Sequence, residues 1–131
     1  MIKARPKSTQ AAPGSQGKIL YCEVDGNVLA TQSRIFEKAG YTVERAHSRA
    51  AADQALRNGH YDVVVLGHTL SKDDRHHLPY MAKKAGDTQV MVLHASGKHP
   101  AVDIALDSRD GEEAMISALR LLAEQKDLVA V

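Results

Sequence analysis

The sequence predicts an α/β domain whose parallel β-sheet is covered by helices on both faces, and three observations carry that expectation. Short apolar runs of strand length alternate with stretches of helical spacing from residue 18 onward. Every helical stretch but the last is followed by a glycine, Gly40, Gly59 or Gly86, where a helix would stop. The run at 61–67, YDVVVLG, is mostly apolar and rich in β-branched residues, as expected of a central strand with neither face in water.

The elements follow in order. Residues 19–24, ILYCEV, form a first buried strand running into the acids Glu23 and Asp25. Residues 27–39 place Val28, Leu29, Ser33, Ile35, Phe36 and Ala39 near helical spacing, and Gly40 suits a left-handed C-cap. Residues 41–46 read as a second strand of mixed polarity. Ser48 offers an oxygen to cap an Ala-rich helix that runs to about Asn58 and ends at Gly59. After the third strand at 61–67, Ser71 can cap the stretch KDDRHHLPYMAKKA, in which Pro79 lacks an N–H and should break or kink the helix near His77. Residues 89–95, QVMVLHA, form a fourth strand and 101–106, AVDIAL, a weaker fifth, with only SGKHP between them. Asp110 can cap a last helix that carries Glu112 and Glu113 in its first turn and Met115, Ile116, Leu119 and Leu122 on one face.

Length and charge narrow the function classes. With 131 residues the chain makes one ordinary domain, large enough for a core without disulfides or metals. Lys and Arg number 17 against 16 Asp and Glu, a formal net charge of +1, so no global field steers it toward nucleic acid or an anionic membrane. No apolar run approaches the roughly 18 residues of a spanning helix. The single cysteine, Cys22, falls inside the first strand, where a thiol is a small inert hydrophobe. A cytoplasmic, reducing compartment is the expectation. Residues 1–17 hold Lys3, Arg5 and Lys7, two prolines, two glycines and no apolar h-region, so they are expected to be a disordered tail ahead of a domain at 18–131.

Strands alternating with helices imply right-handed crossovers. Five strands then fit a flavodoxin-like three-layer sandwich with sheet order 2-1-3-4-5, the connection between strands four and five being shortened. In such sheets the functional crevice lies at the carboxyl ends of the strands, where the winding direction reverses. The first strand delivers Glu23, Val24 and Asp25 there, the third Gly67, His68 and Thr69, and the fourth His94, Ala95 and Ser96.

Over residues 18–125 this pattern resembles the receiver domain of two-component response regulators, the CheY-like family. KILYCEVDGNVLATQSRIFEKAGYTV resembles the family's first strand, acidic loop, first helix and second strand, and YDVVVLGHTL and QVMVLHA resemble its third and fourth strands. The resemblance implies phosphoryl transfer from a histidine kinase to a strand-end aspartate, with Mg²⁺ held by neighbouring acids. Carried onto this chain, the phosphoacceptor position is Gly67, which has no side chain to phosphorylate. The paired acids become Glu23 and Val24, with Asp25 following, so the Mg²⁺ site is degraded. The switch hydroxyl becomes His94, and the lysine after the fifth strand falls near Asp107. The five residues of SGKHP are too few for the family's fourth crossover helix.

The resemblance therefore implies a degenerate pseudo-receiver with no catalytic residue, no phosphoacceptor and no cofactor. It is expected to be a stand-alone, non-enzymatic module of two-component signalling that binds a histidine kinase, another regulator or a second copy of itself, independently of phosphorylation. A second expectation is a small-ligand or transition-metal sensor using Glu23, Asp25, His68 and His94. The plainer reading of those histidines is that they fill the space of the lost site and bond to one another or to water. A third is phosphorelay through an unconventional acceptor, an imidazole oriented by a carboxylate. His76 and His77 diverge by roughly 100° on a helix, so they share no metal. His47, His60 and His99 fall in expected turns and are read as solvated.

Overall fold

A computed structural model describes residues 15–86, 88–94 and 99–129, with Ser108 and residues 125–129 as backbone only. Residues 1–14, most of the expected tail, and Ala95 and Ser96 of the expected crevice lie outside the described residues. Strands β1 (Lys18–Cys22), β2 (Thr42–Ala46), β3 (Val63–Leu66), β4 (Gln89–Val92) and β5 (Ile104–Ala105) alternate with helices α1 (Gly26–Lys38), α2 (Arg49–Asn58), α3 (Lys72–Ala85) and α4 (Glu112–Val129). All four strand pairings are parallel and the order is β2-β1-β3-β4-β5, as the alternation predicts. Each strand is shorter than the stretch read from the sequence.

Successive side chains alternate across the sheet and build two cores. Leu20, Cys22, Val64, Leu66, Val90 and Val92 pack beneath α2 and α3 with Leu56 and Leu78. Ile19, Tyr21, Val63, Val65 and Met91 pack beneath α1 and α4 with Phe36, Met115, Leu119 and Leu122. The first helix stops where expected, at Gly40, whose φ of +104° lies in the left-handed region. Ser48 and Ser71 cap α2 and α3, accepting from the N–H of Ala51 at 3.0 Å and of Asp74 at 3.1 Å.

Four local expectations need correction. Pro79 does not break α3, which continues from Lys72 to Ala85. Leu78, Pro79 and Ala82 are all buried, and that burial offsets the hydrogen bond the proline cannot donate. Asp110 does not cap α4; it lies in a 3₁₀ turn, Ser108–Asp110, and the helix begins at Glu112 after Gly111. The tail does not extend to residue 17: Gln16 N–H donates to the Gly40 carbonyl at 2.7 Å, and the Gly17 carbonyl accepts from Thr42 N–H at 2.9 Å.

The fourth correction concerns His99, which is not a solvated turn residue. Among the described residues no helix joins β4 to β5, and residues 99–102 pack on the sheet, with Ala101 buried and Val102 against the α2/α3 core. Two fastenings hold them. His99 Nδ1 accepts from Ala101 N–H at 3.0 Å, and its Nε2 lies 3.0 Å from the His76 carbonyl oxygen. That arrangement places the proton on Nε2. The His99 ring also packs 4.7 Å from His76 and 4.8 Å from Tyr80, centroid to centroid. Asp103 accepts from Val90 N–H at 2.7 Å and from Lys83 Nζ at 2.6 Å.

Candidate functional site

The crevice at the carboxyl ends of β1 and β3 is built by register. Cys22 pairs with Leu66, so Glu23 and Gly67 are the next neighbours across the ladder and face the same side of the sheet. Backbone bonds carry the ladder past the strands: Gly67 N–H donates to the Cys22 carbonyl at 2.9 Å and Glu23 N–H to the Ala46 carbonyl at 3.1 Å. The side chain of Glu23 turns inward over Gly67 and is fully buried. A Cβ built on Gly67 would lie 1.7 Å from Glu23 Cδ, closer than any non-bonded contact. The carboxyl group of β1 therefore fills the space that a side chain at the end of β3 would need.

Three donors meet that carboxyl group. Oε1 accepts from Thr69 N–H at 3.0 Å and from Thr69 Oγ1 at 2.5 Å, and Oε2 accepts from the hydroxyl of Tyr21. Burial, reinforced by the bond to Glu23, pushes the Tyr21 phenol pKa far above its usual range, so it stays protonated and remains a donor. His68 Nδ1 stands 3.9 Å from Oε2, with 42 % of its side chain exposed. Thr69 Oγ1 also accepts from Val24 N–H at 2.9 Å and Asp25 N–H at 3.1 Å, which ties the β1–α1 loop to the β3–α3 loop.

The remaining expected residues are placed differently. Val24 points outward, with 53 % exposure. Asp25 does not line the crevice; its Oδ1 accepts from the N–H of Asn27 at 2.9 Å and of Val28 at 3.1 Å, capping α1. His94 is half-buried at the end of β4, with Nδ1 lacking a hydrogen-bond partner among the described residues. Asp107 accepts from Arg109 N–H and Nε at 2.9 and 3.0 Å, and from Nη2 at 2.6 Å. The Arg109 guanidinium lowers the Asp107 carboxyl to about 2.

Among the described residues no group of three or more His, Cys, Asp or Glu side chains is arranged to hold a metal ion. One candidate acid is committed to the buried network and another to a helix cap. Cys22 is buried, and its thiol pKa is raised by that burial and then by Glu23, so it is a poor nucleophile.

Sequence reasoning delivered Thr69 to the crevice without assigning it a role and left Tyr21 as a core residue. Both hold Glu23. The signal available was strand parity: Tyr21 and Glu23 lie two apart on β1 and so share a face, and Glu23 abuts Gly67.

No family model matches the chain. It is 32 % identical over 100 residues to the alginate biosynthesis transcriptional regulatory protein AlgB of Pseudomonas syringae pv. tomato, a match covering 76 % of this chain and 22 % of that protein. The chain thus spans about a fifth of the length of the curated relatives it matches. Among solved structures, the N-terminal domain of a response regulator/sensory box/GGDEF protein from Carboxydothermus hydrogenoformans superposes with a TM-score of 0.74 at 18 % identity, covering 87 % of this chain and 99 % of that one. The receiver domain of a sensor histidine kinase from Pseudomonas aeruginosa, with a magnesium ion in its active-site cleft, gives 0.69 at 13 % identity, covering 82 % and 98 %. Strand order, layering and these superpositions together give the chain the flavodoxin-like fold of response regulator receiver domains.

Proposed function

We propose that this chain is a pseudo-receiver of two-component signalling, a non-enzymatic module that works by protein contact without accepting a phosphoryl group. One observation carries the reading. The position that resembles the family's phosphoacceptor is Gly67, and the space above it is filled by the carboxyl group of Glu23. A phosphoryl group needs an acceptor atom and cations around its oxygens. Here the acceptor is missing, Asp25 is turned to a helix cap and the lysine position falls near Asp107. The likeness to AlgB and to receiver structures supports two-component signalling as the setting, with a histidine kinase, another regulator or a second copy of this chain as partner.

An amide NMR titration of the ¹⁵N-labelled protein with Mg²⁺ and then beryllofluoride, a phosphoryl mimic, tests this. The expected result is no clustered shift at Glu23, Val24, Asp25, Gly67, His68 or His94. Clustered, saturable shifts there would overturn the reading. So would an acid-labile phosphate adduct on His68 or His94 after incubation with a phosphorylated kinase.

A further inference from the structure

We infer that the crevice is a carboxylate-binding cradle which the chain fills with its own Glu23, and that this internal ligand holds the β1–α1 and β3–α3 loops in one arrangement. The inference deepens the proposed function and rests on it, since it supplies the reason the loops need no phosphoryl group to order them.

The donor geometry leaves the cradle little freedom. A hydroxyl has one hydrogen and two lone pairs. The lone pairs of Thr69 Oγ1 are taken by the N–H groups of Val24 and Asp25, so its hydrogen is directed at Glu23 Oε1. Thr69 N–H points at the same oxygen and the Tyr21 phenol at the other. Three donors converging on one position form a site for an oxyanion, and donors left buried without an acceptor are costly. An occupant is thus a condition of the crevice's closing.

The occupant also lies at the centre of a network that reaches two helices. Through Thr69 it meets Asp25, whose carboxyl caps α1. On the other side the loop is drawn to α3 by Arg75, whose guanidinium donates to the carbonyls of His68 and Leu70. Loss of the carboxyl group should therefore be read out at residues on both loops, and a small carboxylate supplied from solution should restore them.

Glu23→Ala removes the atoms of one acetate, so acetate is the probe. The expected result has three parts: the amide resonances of Val24, Asp25 and Thr69 shift in Glu23→Ala, return toward their wild-type positions as acetate is added, and do so saturably. Chloride at equal ionic strength leaves them displaced. Resonances unmoved by the substitution, or moved equally by the two salts, would overturn the inference. Should Glu23→Ala fail to fold, Glu23→Gln keeps the volume but removes the charge and replaces one of the two acceptor oxygens with an NH₂ group. Its Thr69 amide should then shift and exchange faster with solvent, and an unchanged spectrum has the same adverse meaning. The beryllofluoride titration of the wild-type protein is independent: a response there removes the proposed function, whereas failed acetate rescue removes only the internal ligand.

Discussion

The two halves of the crevice are built on different terms. At β1 and β3 the space above Gly67 is closed by a buried carboxyl group with three donors, and Thr69 bonds to Glu23, Val24 and Asp25 together. On the other side β5 has only two residues, His94 Nδ1 has no partner among the described residues, and Asp107 pairs on the surface with Arg109 two residues away. There the chain is fastened to the fold by separate contacts, His99 on α3 and Asp103 on Lys83 and Val90. The difference shows two ways of closing one end of a sheet. Between the central strands, the space above a glycine is filled by a neighbouring carboxyl group that also satisfies the donors around it. On the β4 and β5 side, contacts from His99 and Asp103 hold the chain against α3 and the sheet.

The largest effect should come from Gly67→Ala. Its Cβ would displace the Glu23 carboxyl group, with an expected loss of about 3 kcal/mol from overpacking and broken bonds, measured by urea unfolding. Adding Glu23→Ala should recover more than about 1 kcal/mol of that loss, because the two side chains compete for one space. An additive double-mutant cycle would break the comparison at its stronger side.

Thr69→Val keeps the shape but strips the acceptor from Val24 and Asp25 N–H and the donor from Glu23. A loss of about 2 kcal/mol is expected, with faster amide exchange at both loop residues. His99→Ala, in the other half, should cost only about 1 kcal/mol and leave the amides of Val24, Asp25 and Thr69 in place. Combined with Thr69→Val it should add within about 0.5 kcal/mol, as separate sites do. Coupling beyond that would mean the two halves act as one unit.

The smallest effect concerns Asp107. Its folded-state pKa of about 2 lies below the ordinary 3.8, so the contribution of its pair with Arg109 is present above the ordinary value and is lost as pH falls toward 2. Solvent screens so exposed a pair, and stability should barely respond. Carboxyl NMR should nevertheless show the low titration, and Arg109→Ala should raise it part of the way to the ordinary range, the backbone N–H of residue 109 still donating to the carboxyl group. An unmoved titration would place the cause elsewhere in the weaker half.

What the sequence by itself determined is what short-range chemistry controls. The alternation of apolar runs specified strand order and layering, Gly40 ended its helix through backbone freedom, and Ser48 and Ser71 capped theirs through side-chain oxygens a few residues from their partners. The bare backbone of Gly67 at the end of β3 was legible too, since an absent side chain needs no neighbour to define it. Only the tertiary structure decided that Pro79 would be carried inside a continuous helix and that His99 would be drawn into packing on α3. It also decided that Glu23 would turn inward, because its partners Thr69 and Gly67 are more than forty residues away along the chain and come within reach only when β3 pairs with β1. Strand parity in the sequence puts Glu23 on the same face as Tyr21, but the partners on β3 that draw it inward are brought near only by the fold.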